Sequence, residues 1–373
     1  RTPEMRSRRW PGARRLLGMV AVAAVTLLLM TPAAAQAHSE TPPPATNYLT
    51  RVTALTPTVS GLSVRVIRNG MWLELTNHTG RDVEVLGYSG EPYLRVTSDA
   101  AYANTHSPSV YVNSDVKSDM ALDHVNVDPQ TAPQWRRVSG SPVIRWHDHR
   151  THWMSRQPPP IVAAAPHRKH RLSQWSVELR IVDSAPAAPS SVGSVVLRGT
   201  LDYFPPPHTG AWYAGMAAGL AGVVLLGLAA MKLGGGPRSV GRLLAFLLLV
   251  AAAAELTDSV GRVMDVGATG FGIVIQLLAT KTYGTLASLA ALAAVGFAIR
   301  GHAGALLSLA LSGGSLAVLG AVADLAVFSH SRATLPWSGE LARLCTGATL
   351  VLGCGVAIIA WLAIKAEKRR NAG

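Results

Sequence analysis

A short run of histidines offers the most direct chemistry in this sequence. Residues 146–154 read Trp-His-Asp-His-Arg-Thr-His-Trp-Met and place three imidazoles, those of His147, His149 and His152, within six residues. Imidazole suits copper, zinc and nickel, and residues i and i+2 of a strand point to one face. We therefore predict that His147 and His149 chelate one metal ion. His152 faces away on a continuing strand and rejoins them if the chain turns, with Met154 as a secondary soft ligand.

A further ligand is expected at a processed N-terminus. Residues 1–37 have an arginine-rich start, an apolar run from 16 to 30 and the small-residue pattern Ala35-Gln36-Ala37, which together are typical of a secretory signal peptide. Cleavage after Ala37 makes His38 the first residue, so that its α-amine and imidazole can both bind a metal, and the amine favours Cu(II). An uncleaved anchor or an earlier cleavage would take the amine away from His38.

Two other interpretations of the histidine run remain open. Exposed histidine-rich loops exist without metals, and His147 could simply pack between Trp146 and Trp153. Asp148 faces away from the imidazole pair on a strand and could orient a neighbouring ring as a hydrogen-bond acceptor.

Composition points to a membrane protein. The chain has 373 residues, of which 49% are hydrophobic and only 15% charged, so it is too apolar for an ordinary soluble protein. The net charge of +13 falls mostly outside residues 38–207, as membrane topology requires, and no basic stripe indicates nucleic-acid binding. Cys345 and Cys354 lie nine residues apart in one apolar segment, which excludes a disulfide framework.

Residues 38–207 are predicted to form an extracytoplasmic all-β domain, a sandwich of immunoglobulin or cupredoxin type. The alternating runs at residues 62–67 and 71–75, on either side of Asn69-Gly70, indicate a hairpin with a two-residue turn. No sustained helical periodicity occurs in this part of the chain. The other predicted strands cover residues 82–88, 143–146, 175–182 and 195–203.

Residues 208–366 are predicted to be a bundle of about five transmembrane helices, followed by a cytoplasmic tail at 367–373. The apolar stretches are long enough to cross a bilayer, and the lysines and arginines between them place the N-terminal domain outside and the C-terminus inside. Residues 266–280 either extend the third span or lie at the outer surface. The spans are assigned to residues 211–231, 243–261, 283–299, 303–328 and 344–364.

Acidic residues interrupt two of these spans. Glu255, Asp258 and Asp324, with Asp265 nearby, fall toward the predicted extracytoplasmic ends of the second and fourth spans, where ionisable groups are costly. One interpretation is an ion pair between Asp258 and Arg262, which are four residues apart. The alternative is a path for cations through the membrane along Glu255, Asp258 and Asp324.

Enzyme signatures are missing from the sequence. It contains no Gly-x-Ser-x-Gly elbow, phosphate-binding loop or His-Glu-x-x-His motif. The spans have no internal histidines for haem, since His302 and His330 stand at predicted helix ends. A non-enzymatic role is therefore expected.

The segment Gln276–Leu286 resembles part of a known membrane family. Its run Thr282-Tyr283-Gly284-Thr285-Leu286, which continues into an apolar helix, resembles the Thr-x-Tyr-Gly-x-x-Leu segment of CopD-type copper-resistance proteins. Those proteins often accompany or are fused to a secreted CopC-type β-sandwich that begins with histidine. The resemblance implies copper handling outside the cytoplasm. The chain lacks the His-Ala-x-Leu start of CopC and the internal histidines of CopD spans. The arginine-rich signal and the Ala/Gly/Val/Arg bias also fit an actinobacterial membrane protein.

The combination of His38 with His147-x-His149 is also similar to the histidine brace in the B subunit of particulate methane and ammonia monooxygenases. That resemblance covers these three positions only.

The sequence thus favours a copper-binding integral membrane protein that handles or delivers copper. Two other functions stay open: a metal-free interaction protein that docks a partner through Trp146 and Trp153, and an accessory copper subunit of a membrane oxidase or monooxygenase. The expected partners are the lipid bilayer, other membrane subunits or a periplasmic copper carrier, and no nucleic acid.

Overall fold

A computed structural model describes residues 45–113, 127–155, 157–183, 191–233 and 236–370. His38, the predicted signal peptide and its cleavage site lie outside the described residues. The described chain has a β-rich N-terminal part and a helical C-terminal part, as predicted from the sequence.

The β-rich part consists of two antiparallel sheets that share one core, so the predicted sandwich is confirmed. The larger sheet has the order β2-β11-β10-β5-β6-β7-β8 and the smaller one β3-β4-β9. A short third pairing joins β1 to β12, which lies in the helical part. The strands are β1 (Ala45–Thr46), β2 (Tyr48–Thr56), β3 (Leu62–Ile67), β4 (Trp72–Asn77), β5 (Asp82–Leu86), β6 (Pro92–Val96), β7 (Ala101–Asn104), β8 (Trp135–Ser139), β9 (Val143–Trp146), β10 (His170–Val182), β11 (Ser191–Tyr203) and β12 (Arg332–Ala333).

Alternating side chains explain why the sheets face each other. Leu73 and Leu75 of β4 and Ile144 of β9 turn inward from the smaller sheet, where they meet Val85 and Leu179 of the larger one in a single hydrophobic core. Two short helices, α1 (Pro108–Val112) and α2 (Pro160–Ala164), lie in the connections between strands.

The β3–β4 hairpin departs from the predicted two-residue turn. Ile67 pairs with Trp72, so the loop contains four residues, and Arg68, Asn69 and Gly70 all have positive φ. Two features require glycine at position 70. A Cβ there would collide with the side chain of Thr50, and the φ of 119° is one that other residues rarely adopt.

The helical part contains five helices long and apolar enough to cross a membrane, in agreement with the prediction. Residues 266–280 do not extend the third span: they contain a separate short helix that ends in a kink at Lys281. The helices are α3 (Thr209–Lys232), α4 (Pro237–Asp265), α5 (Phe271–Thr280), α6 (Thr282–Ile299), α7 (Ala305–Phe328) and α8 (Gly339–Arg370). α7 continues from α-helix into a π-helical segment at Leu316–Ala321 and a 3-10 segment at Val322–Phe328.

The hairpin loop connects the sandwich to one end of the helical bundle. The Arg68 N–H donates to the Asp265 carboxylate at 3.0 Å, and the Asn69 side chain donates to the Ala333 carbonyl at 3.0 Å. Arg145 on β9 donates to the Val266 carbonyl at 2.7 Å. These contacts, with the β1–β12 pairing, hold the sandwich against the C-terminal end of α4.

Candidate functional site

The structure brings His147, His149 and His152 together at one corner of the sandwich. The ring centres of His147 and His149 are 5.2 Å apart, those of His149 and His152 5.7 Å, and those of His147 and His152 4.0 Å. His147 is buried, with an exposed fraction of 2%, and the other two are half-buried. We call these three side chains the imidazole cluster.

A tight turn, and not a continuous strand, produces this cluster. β9 ends at Trp146, and residues His149–Thr151 form one turn of 3-10 helix that begins at Asp148. The turn carries His152 back to the other two rings, which is the second of the two arrangements predicted for it. His147 packs edge-on against Trp72, with ring centres 6.0 Å apart.

Backbone carbonyls orient two of the rings. His147 Nδ1 lies 2.7 Å from the Met71 carbonyl oxygen, and His152 Nδ1 lies 3.0 Å from that of Asp148. A carbonyl oxygen only accepts, so in the neutral ring Nδ1 carries the proton and the lone pair is on Nε2. A hydrogen bond from the other ring nitrogen to a carbonyl is the support usually given to metal-binding histidines.

Asp148 stabilises the turn through its buried carboxylate. Its carboxylate is fully buried and accepts hydrogen bonds from the Trp146 indole at 3.0 Å and from Arg150 Nε and an Arg150 terminal nitrogen at 2.8 Å each. Burial alone would raise the pKa of Asp148, but the hydrogen bonds and charge of Arg150 hold it below its usual range. Asp148 orients a neighbouring imidazole as an acceptor, as predicted, but the atom that accepts from His152 is its backbone oxygen and not its carboxylate.

Residues that the sequence reasoning missed complete the surroundings of the cluster. The Tyr88 hydroxyl donates to Asn113 at 2.6 Å and accepts from the His149 N–H at 3.1 Å, while the Arg150 guanidinium stacks 4.8 Å from the Tyr88 ring centre. The Thr50 hydroxyl donates to the Thr151 carbonyl. These side chains come from other strands and loops, so spacing along the sequence could not reveal them.

His152 is held in its neutral form. Burial, followed by the proximity of His147 and His149, lowers the pKa of His152 to about 3. Its Nε2 is buried and has no hydrogen-bond partner among the described residues. A neutral imidazole whose lone pair is not engaged in a hydrogen bond is the form that binds a metal ion.

The pKa of His152 predicts an acid-sensitive fold in the metal-free protein. The pKa is about 6.5 in an unfolded chain, so below that pH the unfolded state takes up a proton that the folded state refuses. Between pH 7 and pH 5 we expect a loss on the order of 2 kcal/mol in the free energy of unfolding from this group. His152→Asn keeps a donor for the Asp148 carbonyl but cannot titrate. Thermal unfolding with a chelator present should therefore show a weaker pH dependence in the variant, whereas identical profiles would contradict this assignment.

The spacing of the rings is close to that of a metal site, but the cluster is not already arranged as one. Imidazole nitrogens bind zinc at about 2.0–2.1 Å, and similar bonds to a shared ion place the ring centres of two ligands roughly 5 Å apart. The distances from His149 agree with this, while His147 and His152 would have to separate by about 1 Å. Within the described ranges, no three His, Cys, Asp or Glu side chains have the geometry to hold an ion.

The tryptophans offer little to a docking partner. Trp146 is 3% exposed and belongs to the core of the sandwich, so it is unavailable as a contact residue. Trp153 is half-buried against the same core, and its indole donates to the Gln157 carbonyl at 2.7 Å.

A second group of polar side chains is buried in the helical bundle. Arg262 lies between Asp258, at 2.6 Å, and Asp324, at 3.2 Å, and Lys281 reaches Asp324 at 3.0 Å. Both aspartates are ion-paired, as one of the two interpretations of the Asp258–Arg262 spacing requires. The sequence reasoning missed Lys281, although it is the single charged residue between two apolar helices, α5 and α6.

Glu255 lies about one helical turn further into the bundle than Asp258, at a place where two glycines leave room for its side chain. Its carboxylate accepts from the Ser259 hydroxyl at 3.0 Å and is 3% exposed as a residue. A Cβ at Gly320, on the π-helical segment of α7, would lie 2.8 Å from the carboxyl carbon, and one at Gly284 would collide with a carboxyl oxygen. Glu255, Asp258 and Asp324 are thus brought to the same region of the bundle, and a cation path along them stays a prediction.

Comparisons of the chain with protein-family models, with curated proteins and with solved structures gave no match.

Proposed function

We propose that this chain is a copper-binding integral membrane protein that holds or delivers copper outside the cytoplasm. The observation that carries the proposal is the imidazole cluster, in which His147, His149 and His152 converge and two rings are anchored through Nδ1. Anchoring leaves Nε2 as the ligand atom and limits the entropy lost when the ring is fixed on a metal.

His38 would supply the remaining ligands in this proposal. After cleavage behind Ala37 it contributes an α-amine and an imidazole, and amine with imidazole favours Cu(II) over zinc. His152, predicted as the secondary ligand, becomes a main one because the turn returns it to the cluster. N-terminal sequencing of the mature protein tests this part separately, since a first residue other than His38 removes the amine.

The proposed orientation places the sandwich outside and the C-terminus inside. Basic residues support it because they collect at the end of the bundle away from the sandwich: Lys232 ends α3, Arg300 follows α6, and Lys368, Arg369 and Arg370 end α8. Copper would then be received from, or passed to, another membrane subunit or a periplasmic carrier.

The chemistry of the cluster also fits an accessory copper subunit of a membrane oxidase or monooxygenase, because such a subunit would use the same ligands. Co-purification with further membrane subunits would distinguish this role from copper delivery. The metal-free interaction protein is less well supported, since Trp146 is in the core.

A copper titration of the full chain in detergent tests the proposal. The wild-type protein is expected to bind Cu(II) with a fixed stoichiometry. His149→Ala should raise the Kd for Cu(II) tenfold or more, which corresponds to a loss of about 1.4 kcal/mol or more in binding free energy. His149 is the best choice because it is half-buried and its removal leaves both carbonyl-anchored rings in place.

His106→Ala is the matched control for this titration. His106 is also a half-buried histidine of the sandwich, and its Nδ1 contacts the Ala132 carbonyl at 2.9 Å in a separate loop. The control should bind copper as the wild type does. Equal binding by wild type and His149→Ala, or no stoichiometric binding by either, would remove the basis of the proposal.

A further inference from the structure

A large groove lies between the first and last membrane helices. It has a volume of about 1090 Å³ and is lined by α3 and α8, with Phe204, His208 and Arg332 at the end nearest the sandwich. Small residues form the walls where the two helices face each other: Gly215 and Gly219 on α3 and Gly347 and Ala348 on α8.

The groove is on the periphery of the bundle. α3 is the least buried of the five spans, with 6% of its apolar window buried against 39–44% in the others. Leu344, one of the lining residues, is 57% exposed. In a bilayer this side of the groove therefore faces lipid.

The end of the groove near the sandwich is positively charged. Three cations surround the Phe204 ring, with Arg332 at 4.1 Å, Lys169 at 4.8 Å and Arg51 at 5.7 Å from its centre. Arg51 is paired with Asp202, but Arg332 forms no ion pair within the described part of the chain. The Arg332 guanidinium is therefore available to a ligand at the mouth of the groove.

Arg343 is a buried cation in the wall of the groove. It is 5% exposed, and one terminal nitrogen donates to the carbonyls of Val327 and His330 at 3.3 and 3.2 Å. Its other terminal nitrogen is 3.6 Å from Glu340, whose side chain is 73% exposed. The Nε–H of Arg343 has no hydrogen-bond partner among the described residues, although a buried donor of this kind is normally satisfied.

We propose that this groove binds a phospholipid with an anionic headgroup from the leaflet on the side of the sandwich. The headgroup phosphate is held by Arg332 and Arg343, because guanidinium groups bind phosphate through paired donors. An acyl chain lies along the glycine-lined walls. From Arg343 to Leu352, α8 rises roughly 14 Å at 1.5 Å per residue, which is close to half of the ~30 Å hydrocarbon core.

Native mass spectrometry of the full chain, with phosphatidylglycerol or phosphatidylcholine added to the micelles, tests the proposal. We expect a one-to-one adduct that favours phosphatidylglycerol, and a decrease of about fivefold in that preference for Arg332→Gln, from the ~1 kcal/mol that one basic residue contributes near anionic lipid. Equal binding of the two lipids by the wild type would overturn the assignment.

Filling the groove gives a second, steric test. A Cβ at Gly215 meets nothing within 4 Å, so Gly215→Leu places a side chain in the groove without disturbing the backbone. Gly222→Leu on the same helix is the matched control, because its Cβ also meets nothing and it does not line the groove. The adduct should disappear in the first variant and persist in the second. An adduct retained in Gly215→Leu would contradict lipid binding. If the wild type were a dimer and Gly215→Leu a monomer, the occupant of the groove would be a second copy of the chain and the proposal would be overturned.

Discussion

Replacing Asp148 by asparagine is expected to destabilise the sandwich by about 3–5 kcal/mol, the usual cost of leaving one member of a buried ion pair uncompensated. Asp148 is fully buried and is the carboxylate partner of Arg150, whose guanidinium is also packed on Tyr88. An asparagine would lose the charge and turn a donor toward the Trp146 indole or Arg150. A decrease of Tm by roughly 10 °C in detergent should result.

The same substitution should weaken copper binding, since residues that support a metal ligand commonly contribute 10–100-fold to affinity. Asp128→Asn serves as the control because Asp128 caps an exposed loop through Gln130 and Thr131. It should change the free energy of unfolding by about 0.5 kcal/mol or less. A Tm equal to that of the control would show that the Asp148–Arg150 pair does not support the turn.

Replacing Arg262 by methionine is expected to have an effect of similar size in the membrane part. Among the described residues, the substitution leaves the two buried carboxylates of Asp258 and Asp324 with a single ion-pair partner, Lys281, which pairs with Asp324, at a cost of about 3–5 kcal/mol. The yield of monodisperse protein in detergent and its Tm should both fall. Arg300→Met, at an exposed position beyond α6, should leave both unchanged.

A variant in which Asp258, Arg262 and Asp324 are all replaced by neutral residues distinguishes an electrostatic effect from a packing effect. Adding Asp258→Asn and Asp324→Asn to Arg262→Met removes the uncompensated carboxylates and should recover much of the lost stability, because a lone buried charge is the costly element of a broken ion pair. Lys281 then has no carboxylate partner, but its side chain is 24% exposed. If the triple variant were as unstable as Arg262→Met alone, the loss would come from packing and not from charge.

The sequence predicted the elements of the fold better than their ends. β3 and β9 were predicted with the observed bounds, because each is a short run of mostly apolar, β-forming residues that is bounded by turn residues. β6, β7 and β8 were not predicted. Pro92 begins β6 and Trp135-Arg136-Arg137 is mostly polar, so these short strands take their shape from pairing with neighbours that are distant in sequence.

The candidate site was predicted in its residue types but not in its geometry. Spacing identified the imidazoles of His147, His149 and His152, but the turn that brings His152 back depends on the Asp148 cap and on Thr50 and Gly70, about 80–100 residues earlier. Periodicity treats each segment alone and cannot show such contacts. The same reason explains why the groove and the role of Arg343 could not be predicted from the sequence.

X-ray absorption of the Cu(II)-loaded full chain tests the central claim most directly, because it reports the ligands themselves. Imidazole rings scatter in a recognisable pattern, so the account predicts a nitrogen-rich copper site with at least two imidazoles, one of which is lost in His149→Ala and none in His106→Ala. A copper site without imidazole scattering, or a spectrum unchanged by His149→Ala, would contradict the assignment of His147, His149 and His152 as copper ligands.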